Sequence, residues 1–174
     1  MKPVLKYFYG LVLLATVIWL GTNNWKSYRA KKETRNLIQI IQHCCFESLG
    51  GREVYIDEFN PKQPTVIIYF HPECEHCQYE ASEIGNSSEQ FEQANMILIT
   101  ADDSIVRIED FAMKYHLKKV DNLTILLDRK QNFASHFGTT IVPSIFIYGT
   151  NRKLIKMWKG EIQMKIVIST INAL

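Results

Sequence analysis

The stretch "TVIIYFHPECEHCQYE", Thr65 to Glu80, contains a change of period. Thr65 to Phe70 is a continuous run of β-branched and aromatic residues, which suits a strand buried on both faces of a central sheet. From Gln78 to Phe91 the pattern is helical, with a break expected at Gly85-Asn86. Cys74 and Cys77 stand between the two patterns. A buried strand that leads through a short loop into a helix is the first half of a β-α-β unit, so this stretch predicts an α/β domain.

The residues on either side extend the same pattern. Upstream, "HCCFESL" and "EVYI" flank Gly50-Gly51, a two-glycine turn of the kind that closes a β-hairpin. Asn60, Pro61 and Pro64 mark a loop. Downstream, "MILIT" (Met96 to Thr100) reads as a second buried strand. "SIVRIEDFAMKYHL" places Ile105, Ile108, Phe111, Ala112 and Tyr115 at helical spacing, with Ser104 as the N-cap. "LTILLD" is a strand, "KQNFASHFG" a short helix ended by Gly138, and "SIFIY" (Ser144 to Tyr148) another strand. A turn at Gly149 to Asn151 leads into "KLIKMWKG", a half-buried strand paired antiparallel with it, and a helix from Ile162 to Ile171 closes the order. The expected fold is a central mixed β-sheet flanked by helices, with an N-terminal β-hairpin.

The chain has 174 residues, enough for one ordinary domain. Its composition, 47% hydrophobic and 22% charged, is that of a globular protein. The formal charge of +2 is unevenly spread: seven basic residues and one acid precede Asn36, leaving thirteen basic and seventeen acidic residues in the remainder. The domain is therefore net acidic, which argues against a nucleic-acid partner.

"YFYGLVLLATVIWLG" (Tyr7 to Gly21) is nearly all apolar, follows Lys2 and Lys6, and has aromatic residues at both ends. It reads as an uncleaved membrane anchor, since no small-x-small cleavage site follows it. The expected organisation is a signal-anchor over residues 1–21, a basic tether over 22–38 and the α/β domain over 39–174. More basic residues follow the apolar segment than precede it, and the positive-inside tendency alone would put the domain in the cytoplasm.

CEHC, Cys74 to Cys77, admits three readings: a redox pair, part of a metal site, or two packed thiols. A thiol attacks as thiolate, and a helix N-terminus favours that negative charge. Cys74 at the strand-to-helix junction is so placed, with Cys77 one turn in and less accessible. Disulfide exchange needs both: Cys74 attacks, and Cys77 resolves the mixed disulfide. Protonated His76 favours the Cys74 thiolate, whereas Glu73 and Glu75 oppose it. A structural zinc site usually has four ligands and often a second knuckle, and the adjacent Cys44-Cys45 pair does not supply one.

With these motifs the chain resembles the thioredoxin superfamily, most closely the TlpA/ResA-like thiol-disulfide oxidoreductases, over about residues 40–174. The resemblance rests on the Gly-Gly hairpin, on "TVIIYF" entering CEHC, on Glu80 three residues after Cys77, and on "TTIVPSIFIY". It implies that Val142-Pro143 is the family's cis-proline loop, with the Val142 backbone pairing with substrate. It also implies catalytic roles for Cys74 and Cys77, a proton-handling role for Glu80, and redox tuning by Glu75 and His76. Gly160 before the last helix fits the same pattern. Two positions depart from thioredoxin: Glu73 replaces a tryptophan, and Ile68 stands where its preceding strand has a buried acid.

The resemblance further implies disulfide-containing client proteins, a membrane thiol-disulfide donor or acceptor, and no cofactor or metal beyond a Cys74-Cys77 disulfide. The expected location is the extracytoplasmic, periplasmic side of a bacterial inner membrane, with the anchor running through residues 7–21. A non-enzymatic metal-binding or carrier module using the same cysteines is the alternative. A peroxiredoxin-type peroxidase ranks last, because that family's threonine three residues before its reactive cysteine is His71 here. Cys44 and Cys45, on a strand, point to opposite faces, one into the core. His71 with Pro72 shapes the loop, and Phe133 and Trp158 are core.

Overall fold

The structure, a computed structural model, describes residues 8, 11, 16–22, 25 and 36–174. The chain divides into two compact units, Met1–Asn36 and Leu37–Leu174. In the first unit, residues 16–22 are helical and Val17, Ile18, Trp19 and Leu20 are exposed. Most of the expected anchor and tether lies outside the described residues, among which no helix is long and apolar enough to cross a membrane.

The second unit is built on one seven-stranded mixed sheet. Its elements, in chain order, are β1 (Cys45–Ser48), β2 (Glu53–Tyr55), β3 (Thr65–Phe70), α1 (Glu75–Asn86), β4 (Asn95–Thr100) and α2 (Ile105–Lys114). β5 (Leu123–Leu127), α3 (Phe133–Phe137), β6 (Ser144–Tyr148), β7 (Leu154–Lys159) and α4 (Met164–Ile171) complete it. The strand order is β2-β1-β5-β4-β3-β6-β7; β3, β4 and β5 run parallel, and the other pairings are antiparallel.

Burial explains why β3, β4 and β6 have no polar alternation: every residue in them is buried. Their side chains still alternate between two cores. Val66, Ile68, Phe70, Met96, Leu98 and Ile145 face one core, into which α1, α2 and α4 pack. Ile67, Tyr69, Ile97, Ile99, Phe146 and Tyr148 face the other, filled by α3, the hairpin and Ile38 and Ile41. The β3-α1-β4 and β4-α2-β5 crossovers step in the same direction along the sheet, and right-handed connections then put both helices on one face. Each fully buried Ile, Val or Phe stabilises the domain by about 1.5–3 kcal/mol.

The element boundaries refine the sequence expectations. α1 starts at Glu75, three residues before the helical pattern is legible, because CEHC supplies its first turn rather than a loop. The break comes at Ser87, after Gly85-Asn86, and a short 3-10 turn, Ser88–Phe91, follows. Gly85 lies inside the helix, where a Cβ would sit 1.9 Å from the Tyr115 carbonyl oxygen, so only glycine lets α1 approach the end of α2 this closely. Ser104 caps α2 by accepting from the Arg107 N–H, and Gly138 ends α3 in the left-handed region. Phe133 is fully buried, whereas Trp158 is only partly so and packs against the edge of the first core.

Candidate active site

The site follows from strand direction. β6 runs antiparallel to β3 with Tyr69 opposite Ser144, so the residues before β6 reach the end of the sheet where β3 delivers Cys74. β4 runs parallel to β3 with Thr100 opposite Phe70, and β7 ends with Lys159 opposite Ser144. Cys74, Asp102, Pro143 and Gly160 therefore leave the sheet at the same end, although they are far apart in sequence.

Cys74 is the N-cap residue of α1 and is half-buried. Its N–H donates to the His71 carbonyl at 3.1 Å, and its own carbonyl accepts from the Gln78 N–H at 2.9 Å, which ties the loop to the first helical turn. Cys74 Sγ lies 4.0 Å from the Val142 carbonyl oxygen, and the Val142-Pro143 peptide bond is cis. The structure thus brings the CEHC cysteines and the Val142-Pro143 loop together across 68 residues of chain. Cys77, one turn further, is buried, and all four cysteines of the chain are free thiols. Burial pushes the Cys77 thiol well above the ordinary thiol range; Cys74 and Glu80 push the same way, and a backbone hydrogen bond with His71 opposes them.

Glu80 is a charged residue only 2% exposed, an unusual position for a carboxyl. Its Oε1 accepts from the Ile162 N–H at 2.9 Å, while Oε2 is buried without a hydrogen-bond partner among the described residues. Burial pushes this carboxyl up to about 8; the charges of Glu161 and Glu83 add to the effect and the Ile162 hydrogen bond opposes it. Glu80 and Cys77 line the same small internal cavity, together with Ile68, Leu98 and Phe111. Ile68 is the strand position at which the resemblance has a buried acid. Here the carboxyl enters the same space from α1.

His76, expected to tune the pair through its charge, makes its hydrogen bond away from Cys74. Its Nδ1 bonds to Glu161 Oε2 at the surface, so the imidazole is engaged with the segment before α4 rather than with Cys74. Glu75 is exposed in the first turn of α1. Glu73 is drawn aside by Arg107, whose Nη1 is 3.3 Å from its Oε1.

Two groups of residues beside the site were not picked out from sequence. Asp102 is buried; its Oδ1 accepts from the Ser104 N–H, and its Oδ2 lies 3.1 Å from Arg107 Nη1 and 3.6 Å from His71 Nε2. His71 in turn accepts the Glu73 N–H on Nδ1, so it shapes the loop before Cys74, as expected. The second group is Glu161 with Glu83, whose Oε2 accepts from the Met164 N–H. The signal for Asp102 was its place just after a buried strand, and for Glu161 its place just after Gly160. Among the described residues no group of three or more His, Cys, Asp or Glu side chains is arranged to hold a metal ion.

The AhpC/TSA family matches this chain over residues 39–157, which hold β1 to β6, Cys74, Cys77 and Val142-Pro143. The chain belongs to the AhpC/TSA family. Its solved structural neighbours include a secreted Mycobacterium tuberculosis disulfide oxidoreductase homologous to Escherichia coli DsbE, with TM-score 0.66 and 17% identity over 76% of this chain and 96% of that one. Peroxidoxin BcpB of the same organism aligns with TM-score 0.63 and 16% identity over 79% of this chain and 98% of that one. At these identities the likeness is one of fold, and the fold of this AhpC/TSA member is thioredoxin-like. A curated relative, cellobiose 2-epimerase of Dictyoglomus turgidum, is 26% identical over 178 residues. That alignment takes in 92% of this chain and 43% of the relative, so the chain spans less than half the relative's length.

Proposed function

We propose that this redoxin is a thiol-disulfide oxidoreductase that reduces or exchanges disulfides in extracytoplasmic client proteins. The observation that carries the reading is the stack at the end of β3: Cys74 at the N-cap of α1 facing the Val142 carbonyl, buried Cys77 one turn in, and buried Glu80 lining Cys77's cavity. Cys74 attacks as thiolate on one sulfur of the client disulfide. The client's S–S bond breaks, its other sulfur leaves with the electron pair and takes up a proton, and Cys74 is joined to the client. Cys77 then gives its proton to the Glu80 carboxylate and attacks Cys74 Sγ, releasing the client's second thiol. Two electrons pass from the dithiol to the client, and the chain keeps a Cys74-Cys77 disulfide.

Glu80 suits the proton step because a base poised near the working pH exists in both forms. With its carboxyl pushed up to about 8, enough is ionised near neutrality to accept a proton, and the acid form can return it in the reverse reaction. The backbone of Val142 pairs with the client peptide beside Cys74. Glu75 and the His76 charge tune the pair from the first turn of α1. No diffusible cofactor enters this cycle; a membrane thiol-disulfide partner resets the pair. The apolar run from Tyr7 to Gly21 would hold the domain on the periplasmic side of a bacterial inner membrane, in keeping with the secreted structural relative. A C-terminal reporter active only outside the cytoplasm tests that placement, and an inactive fusion overturns it.

The deciding experiment is equilibration of the protein with graded dithiol/disulfide buffers, followed by alkylation and mass mapping. Cys74 and Cys77 titrating as a single two-electron couple supports the reading, and the midpoint says whether clients are reduced or oxidised. Metal bound stoichiometrically and lost in Cys74→Ser would favour the carrier module instead. The family match and the peroxidoxin neighbour favour a second reading, peroxide reduction by Cys74. It requires thiol-dependent peroxide consumption that Cys74→Ser abolishes.

A further inference from the structure

The short segment between β7 and α4 contacts the Pro143 loop and three residues of α1. The Gly160 N–H donates to the Pro143 carbonyl at 2.8 Å, on the loop that faces Cys74. Glu161 bonds His76, inside CEHC. The Ile162 N–H donates to Glu80 Oε1 at 2.9 Å, and the Met164 N–H donates to Glu83 Oε2 at 2.8 Å. Gly160 itself has φ +93°, a conformation that side-chain-bearing residues rarely adopt, so the chain turns sharply off β7 to follow this path. Residues 160–164 thus form a strap across the start of α1.

We propose that Glu161 is a positioning residue for the redox site: latched to His76, it holds the strap against α1, so that the Ile162 N–H engages Glu80 Oε1 and leaves Oε2 for the Cys77 proton. This rests on the proton-handling role of Glu80. Alone among the strap's contacts, the latch joins two exposed side chains across 85 residues of chain, so it depends on residue identity where the other three use backbone N–H groups. Geometry and charge act together. Around Glu80, α1 contributes Glu83 and Cys77, the strap contributes Glu161, and β3, β4 and α2 contribute Ile68, Leu98 and Phe111, none of them titratable. The carboxylate of Glu161 therefore also opposes ionisation of Glu80.

The test is the pH profile of the resolving step, followed as release of a chromogenic thiol from a preformed mixed disulfide on Cys74, in Glu161→Gln and His76→Ala. In the parent protein the rate rises with pH and levels above about 8, the value to which the Glu80 carboxyl is pushed, and Glu80→Gln loses the inflection. Glu161→Gln removes the charge but keeps a polar side chain of the same reach, and moves the inflection down by about half a pH unit, the modest size expected for a partly exposed charge. His76→Ala keeps the Glu161 charge but opens the latch; the Ile162 N–H that favours the Glu80 carboxylate is withdrawn, and the inflection moves up. An inflection that stays put in His76→Ala, with rates unchanged or lowered equally at every pH, overturns the positioning role. An inflection absent from the parent, or retained in Glu80→Gln, instead overturns the Glu80 reading on which the proposal stands.

Discussion

Two cysteine pairs occupy this domain, and they end in opposite circumstances. Cys44 and Cys45 are adjacent in sequence, yet the extended chain sends them apart: Cys44 is buried and Cys45, the first residue of β1, is partly exposed. Cys74 and Cys77 are three apart, yet the first turn of a helix brings them to one side. Burial of Cys44, with Asp57 and Cys45 adding to it, pushes its thiol up to about 12, where it packs rather than reacts. Cys77 is also buried, but a buried carboxyl shares its cavity. On the proposed cycle, burial alone does not make a thiol inert; what matters is whether a proton acceptor is buried with it.

That contrast can be broken in several places, and the largest effect is expected at Cys74. Cys74→Ser should lower disulfide exchange more than about a thousandfold, as loss of an attacking nucleophile does. The rate of insulin reduction checks this, and a rate within tenfold of the parent would break the contrast outright. Glu80→Gln should slow the resolving step by about a hundredfold, the usual worth of a placed proton acceptor.

The same Glu80→Gln variant carries a stability signature. A carboxyl raised from 4.5 to about 8 in the folded state binds more protons folded than unfolded between those values. Its stabilising contribution is complete below the unfolded value and is lost as pH rises through the folded one. Urea unfolding of the parent should therefore weaken between pH 5 and 8 by on the order of a few kcal/mol, an upper bound from the linkage relation, and Glu80→Gln should flatten that slope.

Gly85→Ala tests the position of α1, because its Cβ would meet the Tyr115 carbonyl oxygen. It should destabilise the domain by about 1–3 kcal/mol, the usual cost of overpacking. It should also speed alkylation of Cys77 while leaving that of Cys44 unchanged; equal changes at both would mean general loosening. The smallest effects belong to the hairpin. Cys44→Ala should cost about 1 kcal/mol in urea unfolding for the lost buried sulfur. Cys45→Ala should stay within about 0.5 kcal/mol. Neither should move the redox midpoint of the CEHC pair.

Most of the fold was legible because strands such as Thr65–Phe70 and Asn95–Thr100 are uninterrupted apolar runs, and the turns between elements carry Gly, Asn or Pro. The start of α1 was not legible. CEHC has no apolar periodicity, and its helical conformation goes with the Gln78 N–H donating to the Cys74 carbonyl and with the burial of Cys77 in the core rather than with pattern. The partner of His76 was hidden for a different reason. A histidine facing Glu161 looks the same in sequence as one facing Cys74, and only the return of β7 beside β6 decides between them.

By itself the sequence determined the order of elements, the strand-to-helix setting of Cys74 and the i, i+3 reach of Cys77, since these are local consequences of periodicity and spacing. Tertiary structure decided the rest. Antiparallel pairing of β6 with β3 brings Val142 to Cys74, and close packing of α1 under the sheet buries Glu80 deeply enough to hold its proton to about pH 8. The turn at Gly160 lays the strap against the Pro143 carbonyl, His76 and Glu80. The physical reason is that a residue's charge state and partners depend on what surrounds it in space, and contacts between residues 60 to 90 positions apart are set by sheet register, which no local pattern encodes.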